Sequence, residues 1–360
     1  MRFKIDGLMS ILRRKFSRNV VLATILALCG LLILNFALNL DKRLAWSVYS
    51  ALKSDELFSG AILITKDGRT LYENSDSIEE RQFLVASITK QTTAALILKE
   101  VEKGSIDLSA KANDYLLKDQ KINDAITVSQ LLSHTSGVVS DDPSPRFIPG
   151  TNYEYSNYGY IVLGRILQNV SGQIFDELAM EMFKNLGMKN SFLIDDKSLD
   201  NIRLKRPRFA PSFLFKDGEL TKIFATYKFI LNKERKMFFP GNPCGGLIST
   251  ARDLDKWNAA LHNGKILSPK MYEKMIKKIT PSNIPKGEYG YGICMNSDFE
   301  VFHTGCVDGY RATLSYFPKH KISLAILENV FTGKYEADFK THENIRNIVK
   351  KYAELLENEE

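Results

Sequence analysis

From Tyr289 onward the chain breaks into short runs rich in β-branched and aromatic residues, YGYGICMN, FEVFHTG, YRATLSYFP and KISLAILEN, joined by tight turns such as NSD and PKH. Runs of this length and composition form an antiparallel meander. Near the other end of the chain, SGAILITKDGRTLYEN holds two more apolar runs around Lys66, Asp67 and Gly68, which predicts a β-hairpin. Between them the apolar spacing is helical. LAWSVYSALKSDELF precedes the hairpin; residues 86–103 follow it, with Gly104 as the stop; SIDLSAKANDYL, ITVSQLLSHTSGV, YIVLGRILQNVSG and IFDELAMEMFKNLGM continue the series, and residues 338–356 close the chain. The pattern predicts one sheet assembled from both chain ends, with the central helices as a second lobe. Ligand sites favour the seam between two such lobes.

The chain has 360 residues, 44% hydrophobic and 25% charged, the balance of a folded globular protein with room for one large domain or two ordinary ones. Its formal charge of +7 is local. Residues 1–45 carry eight Lys/Arg against two acids, and the rest holds 41 basic and 40 acidic residues, which argues against a nucleic-acid-binding surface. Residues 20–40 carry no charge, enough for a helix of roughly 30 Å across a hydrocarbon layer. Arg13, Arg14, Lys15 and Arg18 precede it, so the N-terminus is expected to stay cytoplasmic and the body to be translocated. A cleaved signal peptide is the rival, although the run exceeds the usual length and no A-x-A site follows; LALC at Cys29 only faintly resembles a lipoprotein box. Cys244, Cys294 and Cys306 match no metal site; one disulfide with a thiol left over and three buried thiols are both open.

Three short constellations could carry chemistry. In FLVASITKQTTAALILKEVEKG, Ser87 and Lys90 sit three apart at a helix start, where Cβ atoms lie about 5–6 Å apart and the helix N-terminus favours developing negative charge. A serine is a nucleophile only when a neighbouring base takes its proton, and a lysine serves only if burial or nearby charge lowers its pKa. The bland alternative makes Ser87 an N-cap. Spacing alone does not choose, since Ser50 and Lys53 repeat it on the first helix. Tyr155 and Asn157 precede a helix starting near Tyr158, with a decoy in Tyr72 and Asn74 and a packed aromatic turn as the bland alternative. His303, Thr304 and Gly305 in FEVFHTGCVDGY end a strand, where a cation and a hydroxyl could hold a substrate carboxylate and Gly305 leaves room for a substrate backbone.

Taken in order, these three elements resemble the motifs of the serine β-lactamase and penicillin-binding-protein superfamily, in its class C β-lactamase-related branch. LLSHTSGV at residues 131–138, PGTNYEYSNYGYIVLGRIL at 149–167 and CGGLISTARDLDKW at 244–257 are similar to the same family. The resemblance spans residues 45–355. It implies an α+β fold, an α/β/α sandwich with an antiparallel sheet beside an all-helical lobe, here preceded by one transmembrane helix. The expected organisation is a basic cytoplasmic segment at 1–19, a signal anchor at 20–40 and a serine hydrolase domain at 45–356, placed at a bacterial inner membrane with the domain on the extracytoplasmic side.

By the same resemblance Ser87 would attack a carbonyl, Lys90 with Tyr155 would pass its proton to the leaving group, and Asn157 would hold the substrate and Lys90. The backbone amides of Ser87 and Cys306 would form the oxyanion hole, and water would release the acyl group. His303, Thr304, Gly305 and Cys306 would line the substrate. No metal or cofactor is implied; the partners expected are a small-molecule or peptide substrate and the membrane, and no nucleic acid. One departure stands out: many members begin the third motif with lysine, and here it is His303, whose ordinary pKa near 6.5 makes a poorer cation at neutral pH. The substrate stays open among D-amino-acid peptides, esters, amides and β-lactams. An acyl-binding receptor or inactive relative, and a purely structural membrane protein, are the alternatives.

Overall fold

The computed structural model describes residues 21–26, 28–29, 39–74, 81–142, 144–195, 198–223, 242–283, 286–297, 300–307 and 309–358. Its centre is an eight-stranded sheet. β1 (Gly60–Lys66) and β2 (Arg69–Glu73) form the expected hairpin; β8 (Thr280–Asn283), β9 (Lys286–Tyr289), β10 (Cys294–Ser297), β11 (Glu300–Val307), β12 (Tyr310–Phe317) and β13 (Ile322–Glu328) form the meander. The spatial order β2-β1-β13-β12-β11-β10-β9-β8 joins the two ends of the chain through β1 and β13, which pair antiparallel with Ile62 opposite Ile326.

Period-two alternation decides which side chains face where. Ile62 and Ile64 of β1 and Ile322, Leu324 and Ile326 of β13 point to one face, where they pack with Leu44, Val48 and Ala51 of α1 (Leu40–Lys53) and Ile345, Val349 and Tyr352 of the terminal helix. Leu63, Ala325 and Leu327 point to the other face and join the main core with the helices between the chain ends. The result is a three-layer sandwich. α2 (Thr89–Glu102), α3 (Val128–Leu132), α4 (Asn157–Ser171) and α5 (Phe175–Asn185) build the helical lobe, followed by β4 (Phe192–Leu193) and α6 (Leu199–Lys205). β5 (Ser212–Lys216) and β6 (Glu219–Ile223) form a small sheet with the later β14 (Val330–Phe331). Then come α7 (Asn242–Gly245), β7 (Leu247–Ser249), α8 (Ala251–His262), α9 (Pro269–Met275) and, last, α10 (Tyr335–Glu357).

Several expected boundaries are corrected. SIDLSAKANDYL is not a helix but a set of turns with one 3-10 turn at Ala112–Tyr115. The Asp107 carboxylate accepts from both the N–H and the hydroxyl of Ser109, and Asn113 bonds Ile122 in both directions, so side chains take the backbone groups a helix would need. ITVSQLLSHTSGV is helical only over α3, opened by the Thr127–Gln130 capping box and stopped by His134 at φ 61°. α4 starts near Tyr158 as expected, but with Asn157 as its first residue rather than before it, because Ser156 is its N-cap and accepts from Gly159 N–H at 2.9 Å.

Of the expected membrane span at 20–40, residues 21–26 and 28–29 are helical with exposed side chains and most of the remainder lies outside the described residues, as does segment 1–19. Among the described residues no helix is long and apolar enough to cross a membrane. None of the four cysteines is in a disulfide. Both decoys are structural: Asn74 latches the sheet edge through Ile62 N–H and Gly60 C=O, and Lys53 lies 5.6 Å from the Tyr49 ring on the outer face of α1.

Candidate active site

A two-residue strand, β3 (Phe83–Leu84), pairs with β7 and delivers Val85, whose N–H donates to Leu247 C=O at 2.9 Å. The chain then turns sharply. Ala86 is held at φ 46°, a conformation costly for a residue with a Cβ, and one 3-10 turn at Ala86–Ile88 leads into α2. The N-cap alternative for Ser87 fails, since no side-chain cap bond is made there; Thr89 does the stapling, donating to Ala86 C=O at 2.7 Å and accepting from Leu247 N–H at 3.0 Å. Ser87 is left half-buried, its hydroxyl not spent on capping the helix.

Beside this turn runs β11. Its pairing with β10 covers Glu300 to Phe302, and beyond that the Ser87 turn packs against it. A Cβ on Gly305 would lie 2.0 Å from Val85 O and 3.2 Å from Ser87 N, so only glycine allows this approach. The Ser87 and Cys306 segments are therefore neighbours, as an oxyanion hole between their amides requires.

Lys90 lies one helical turn on and is fully buried. Its Nζ donates to Asn157 Oδ1 at 2.7 Å and to Cys244 C=O at 2.7 Å, and stands 3.1 Å from Ser87 Oγ. Three donors of an ammonium meet three acceptors. A neutral amine has two donors and a lone pair; since Asn157 Oδ1 and Cys244 C=O can only accept, the lone pair is left facing the Ser87 hydroxyl. Burial, outweighing the nearby Cys244 thiol, lowers Lys90 to about 8. Roughly a tenth of it is then neutral at pH 7.

Tyr155 hydrogen-bonds Ser87, and its ring lies 4.8 Å from Lys90 Nζ. Burial raises its pKa further than the Ser87 bond lowers it, so the phenol stays protonated while Lys90 titrates. Ser87, Lys90, Tyr155 and Asn157, spread over 70 residues of sequence, thus converge on one point.

His303 is corrected as a cation. It is fully buried, bonded to the Tyr289 hydroxyl at 2.9 Å, and burial followed by the charge on Lys90 lowers it to about 3. A neutral, enclosed imidazole does not hold a substrate carboxylate. Thr304 and Cys306 alternate to the opposite side of β11 from His303 and are half-buried. Three participants escaped sequence reasoning: the Cys244 carbonyl, His134 and Tyr289. His134 and Cys244 lay inside phrases similar to the family, while Tyr289 showed only as a strand residue. Among the described residues there is no group of three or more His, Cys, Asp or Glu arranged to hold a metal ion.

The family model described as Beta-lactamase matches residues 49–346. Protein flp of Staphylococcus aureus (strain MW2) is 23% identical over 341 aligned positions, covering 82% of this chain and 64% of that protein. The chain thus spans under two thirds of that relative. Among solved structures, the octameric penicillin-binding protein homologue from Pyrococcus abyssi superposes with a TM-score of 0.64 at 25% identity, covering 82% of this chain and 75% of that one. D-amino acid amidase from Ochrobactrum anthropi SV3, complexed with L-phenylalanine amide, superposes with a TM-score of 0.70 at 20% identity, covering 89% and 99%, a likeness of fold alone.

Proposed function

The chain belongs to the Beta-lactamase family, and from that premise we propose that it is a serine hydrolase cleaving amides or esters through an acyl-enzyme on Ser87. The observation that carries this is the Lys90 amine, buried, lowered to about 8, and with two of its three partners obligate acceptors, so that its lone pair is aimed at Ser87 Oγ 3.1 Å away. Neutral Lys90 takes the Ser87 proton as Oγ attacks the carbonyl carbon. The oxyanion is met by the Ser87 and Cys306 amides. The Tyr155 hydroxyl, bonded to Ser87 and still protonated, gives its proton to the leaving group and is resupplied from Lys90. Water attacks the acyl-enzyme by the reverse relay. Asn157 orients Lys90 and offers its amide to the acyl chain, and β11 at Thr304 to Cys306 offers backbone along which an extended substrate can lie.

His303 bears on the substrate. Because it is neutral and enclosed, that position of the third motif brings no charge for a carboxylate, which favours amides and esters, including those of D-amino acids, over β-lactams. That a fold relative is a D-amino acid amidase is consistent with this choice. The test is a hydrolysis panel on the purified full chain in detergent: D-amino acid amides, p-nitrophenyl esters, D-alanyl peptides and a chromogenic cephalosporin. Turnover of amides or esters well above the cephalosporin supports the reading. Labelling of Ser87 with no turnover of anything would make the protein an acyl-binding receptor.

The membrane anchor at 20–40 and an extracytoplasmic domain are part of this proposal. What supports them, beyond the uncharged run, is the outer face of α1, which starts where that run stops: Lys42, Arg43, Trp46, Tyr49 and Lys53 are all exposed along it. Aromatic and cationic side chains together suit the headgroup layer of a bilayer.

A further inference from the structure

His134 occupies a position that chemistry does not recommend. It is held at φ 61°, where glycine or asparagine is cheaper, and its ring is fully buried in a layer of tyrosines. Its contacts explain the choice. The His134 carbonyl accepts from Glu154 N–H at 2.9 Å and its Nδ1 accepts from Ser156 N–H at 3.1 Å, so one residue grips the backbone on both sides of Tyr155. Its ring packs on the Tyr155 ring with centroids 4.4 Å apart.

The bond from Ser156 also settles the tautomer. Nδ1 accepts, so the proton of a neutral ring is on Nε2, which faces the Tyr289 hydroxyl at 3.2 Å and donates to it. At the far end His303 Nδ1 faces Thr304 C=O at 2.6 Å, an obligate acceptor, so His303 carries its proton on Nδ1. His303 Nε2 therefore accepts from Tyr289 across 2.9 Å. Tyr160, also within reach of Tyr289, donates its own proton to Leu132 C=O at 2.8 Å and does not compete as a donor. The bonds run one way: His134 to Tyr289 to His303 to Thr304 C=O. That the burial of both rings and the charge on Lys90 hold them neutral agrees with this chain.

We propose that His134, fixed as its Nε2–H tautomer and tied through Tyr289 to His303, is the positioning residue that holds the Tyr155 hydroxyl on Ser87. It touches no substrate. It acts by gripping the Tyr155 backbone from both sides and packing against its ring, and Tyr289 keeps that grip in one tautomer by giving Nε2–H a partner. The catalytic part of this inference rests on the serine hydrolase reading above; the tautomer lock does not.

The test uses the full chain in detergent with a fluorophosphonate probe of Ser87, thermal melting, and selective 15N-histidine spectra simplified by His262→Gln, His320→Gln and His342→Gln. In His134→Asn the substituent suits the left-handed backbone, so a mere turn role predicts unchanged stability and unchanged labelling. Positioning predicts retained melting but labelling slowed at least tenfold, and with a hydrolysed ester a lowered kcat at nearly constant KM. Tyr289→Phe keeps the ring and removes the relay; labelling should slow and the His134 and His303 signals should lose their single tautomers. In the wild type the two rings should be neutral and of opposite tautomer. Identical tautomers, a charged ring at pH 7, or wild-type labelling in His134→Asn each overturn the proposal. Should His134→Asn fail to fold, Tyr289→Phe and the wild-type spectrum decide it. A wild type that never labels defeats the hydrolase reading, and the catalytic part with it, while the spectrum still decides the lock.

Discussion

Of the three groups that surround the Lys90 amine, Ser87 Oγ, at 3.1 Å, is the one that can give it a proton; Asn157 Oδ1 and Cys244 C=O can only accept. On the serine hydrolase proposal, this asymmetry makes Ser87 acylation depend on the neutral form of Lys90, whose pKa is lowered to about 8. The neutral fraction falls tenfold per unit below that value, so the labelling rate should climb with unit slope from pH 6 and level off above 8, a rise of about 100-fold. Lys90→Met should remove both the slope and at least about 10²-fold of the plateau rate, and Tyr155→Phe a similar factor. Measuring fluorophosphonate labelling from pH 6 to 10 checks this; a flat profile removes Lys90 as the base.

The close approach of β11 to the nucleophile turn predicts an unusually costly alanine. In Gly305→Ala the new Cβ would lie 2.0 Å from Val85 O and 3.2 Å from Ser87 N, both backbone atoms that cannot rotate away. The turn and strand must part, which should destabilise the protein by about 1–3 kcal/mol and slow acylation at least tenfold by opening the amide pair around the oxyanion. Melting and labelling of the variant test this, and labelling at the wild-type rate would mean that the Cys306 segment plays no part.

How much of this arrangement could be read from residues alone depended on the range of the interactions. Strands β11 to β13 announce themselves as short β-branched and aromatic runs joined by tight turns, and Ser87 and Lys90 because a helix start brings i and i+3 together. SIDLSAKANDYL misled because its apolar spacing is helical while Asp107 and Asn113 spend their side chains on local backbone groups. His134 and Tyr289 are 155 residues apart, and no periodicity connects a left-handed loop residue with a strand end. His303 could be located but not its charge, which is set by burial and by Lys90.

Buried neutral histidines predict acid sensitivity. His134, His303 and His342 are fully buried and each is held below its ordinary pKa chiefly by burial, His303 at about 3. The unfolded chain protonates them near pH 6.5 and the folded chain does not, so below 6.5 the unfolded state binds more protons and stability falls as pH falls; above 6.5 their contribution is fully present. From pH 7.5 to 5.5 each of these should contribute a loss of about 1.4 kcal/mol, as should His262, which burial also lowers to about 3. Glu328, raised by burial to about 8, and Asp176, raised by burial to about 6, push stability the other way. Nitrogen-15 histidine spectra of the folded protein at pH 5.5 isolate the histidines from those carboxyls, and a charged His134, His303 or His342 ring there contradicts the neutral assignment.

The outer face of α1 makes a prediction separable from catalysis. The chain has two tryptophans: Trp46 is 59% exposed on α1, within two helical turns of the end of the uncharged run, and Trp257 is 2% exposed, its indole N–H donating to Gln91 in the core. If residues 20–40 anchor the chain in a bilayer, Trp46 lies at headgroup depth with Lys42, Arg43 and Lys53 around it, and Trp257 stays far from lipid. With the full chain reconstituted in vesicles, brominated lipids should quench the emission of Trp46, more strongly when anionic lipid is present, and Trp46→Phe should abolish that quenching while leaving the Trp257 emission intact. Deleting residues 20–40 should release the protein from the vesicles, since two aromatics and three cations on one short helix give only weak, salt-sensitive binding. Emission indifferent to brominated lipid in the full chain would show that α1 faces water and that the domain stands clear of the membrane.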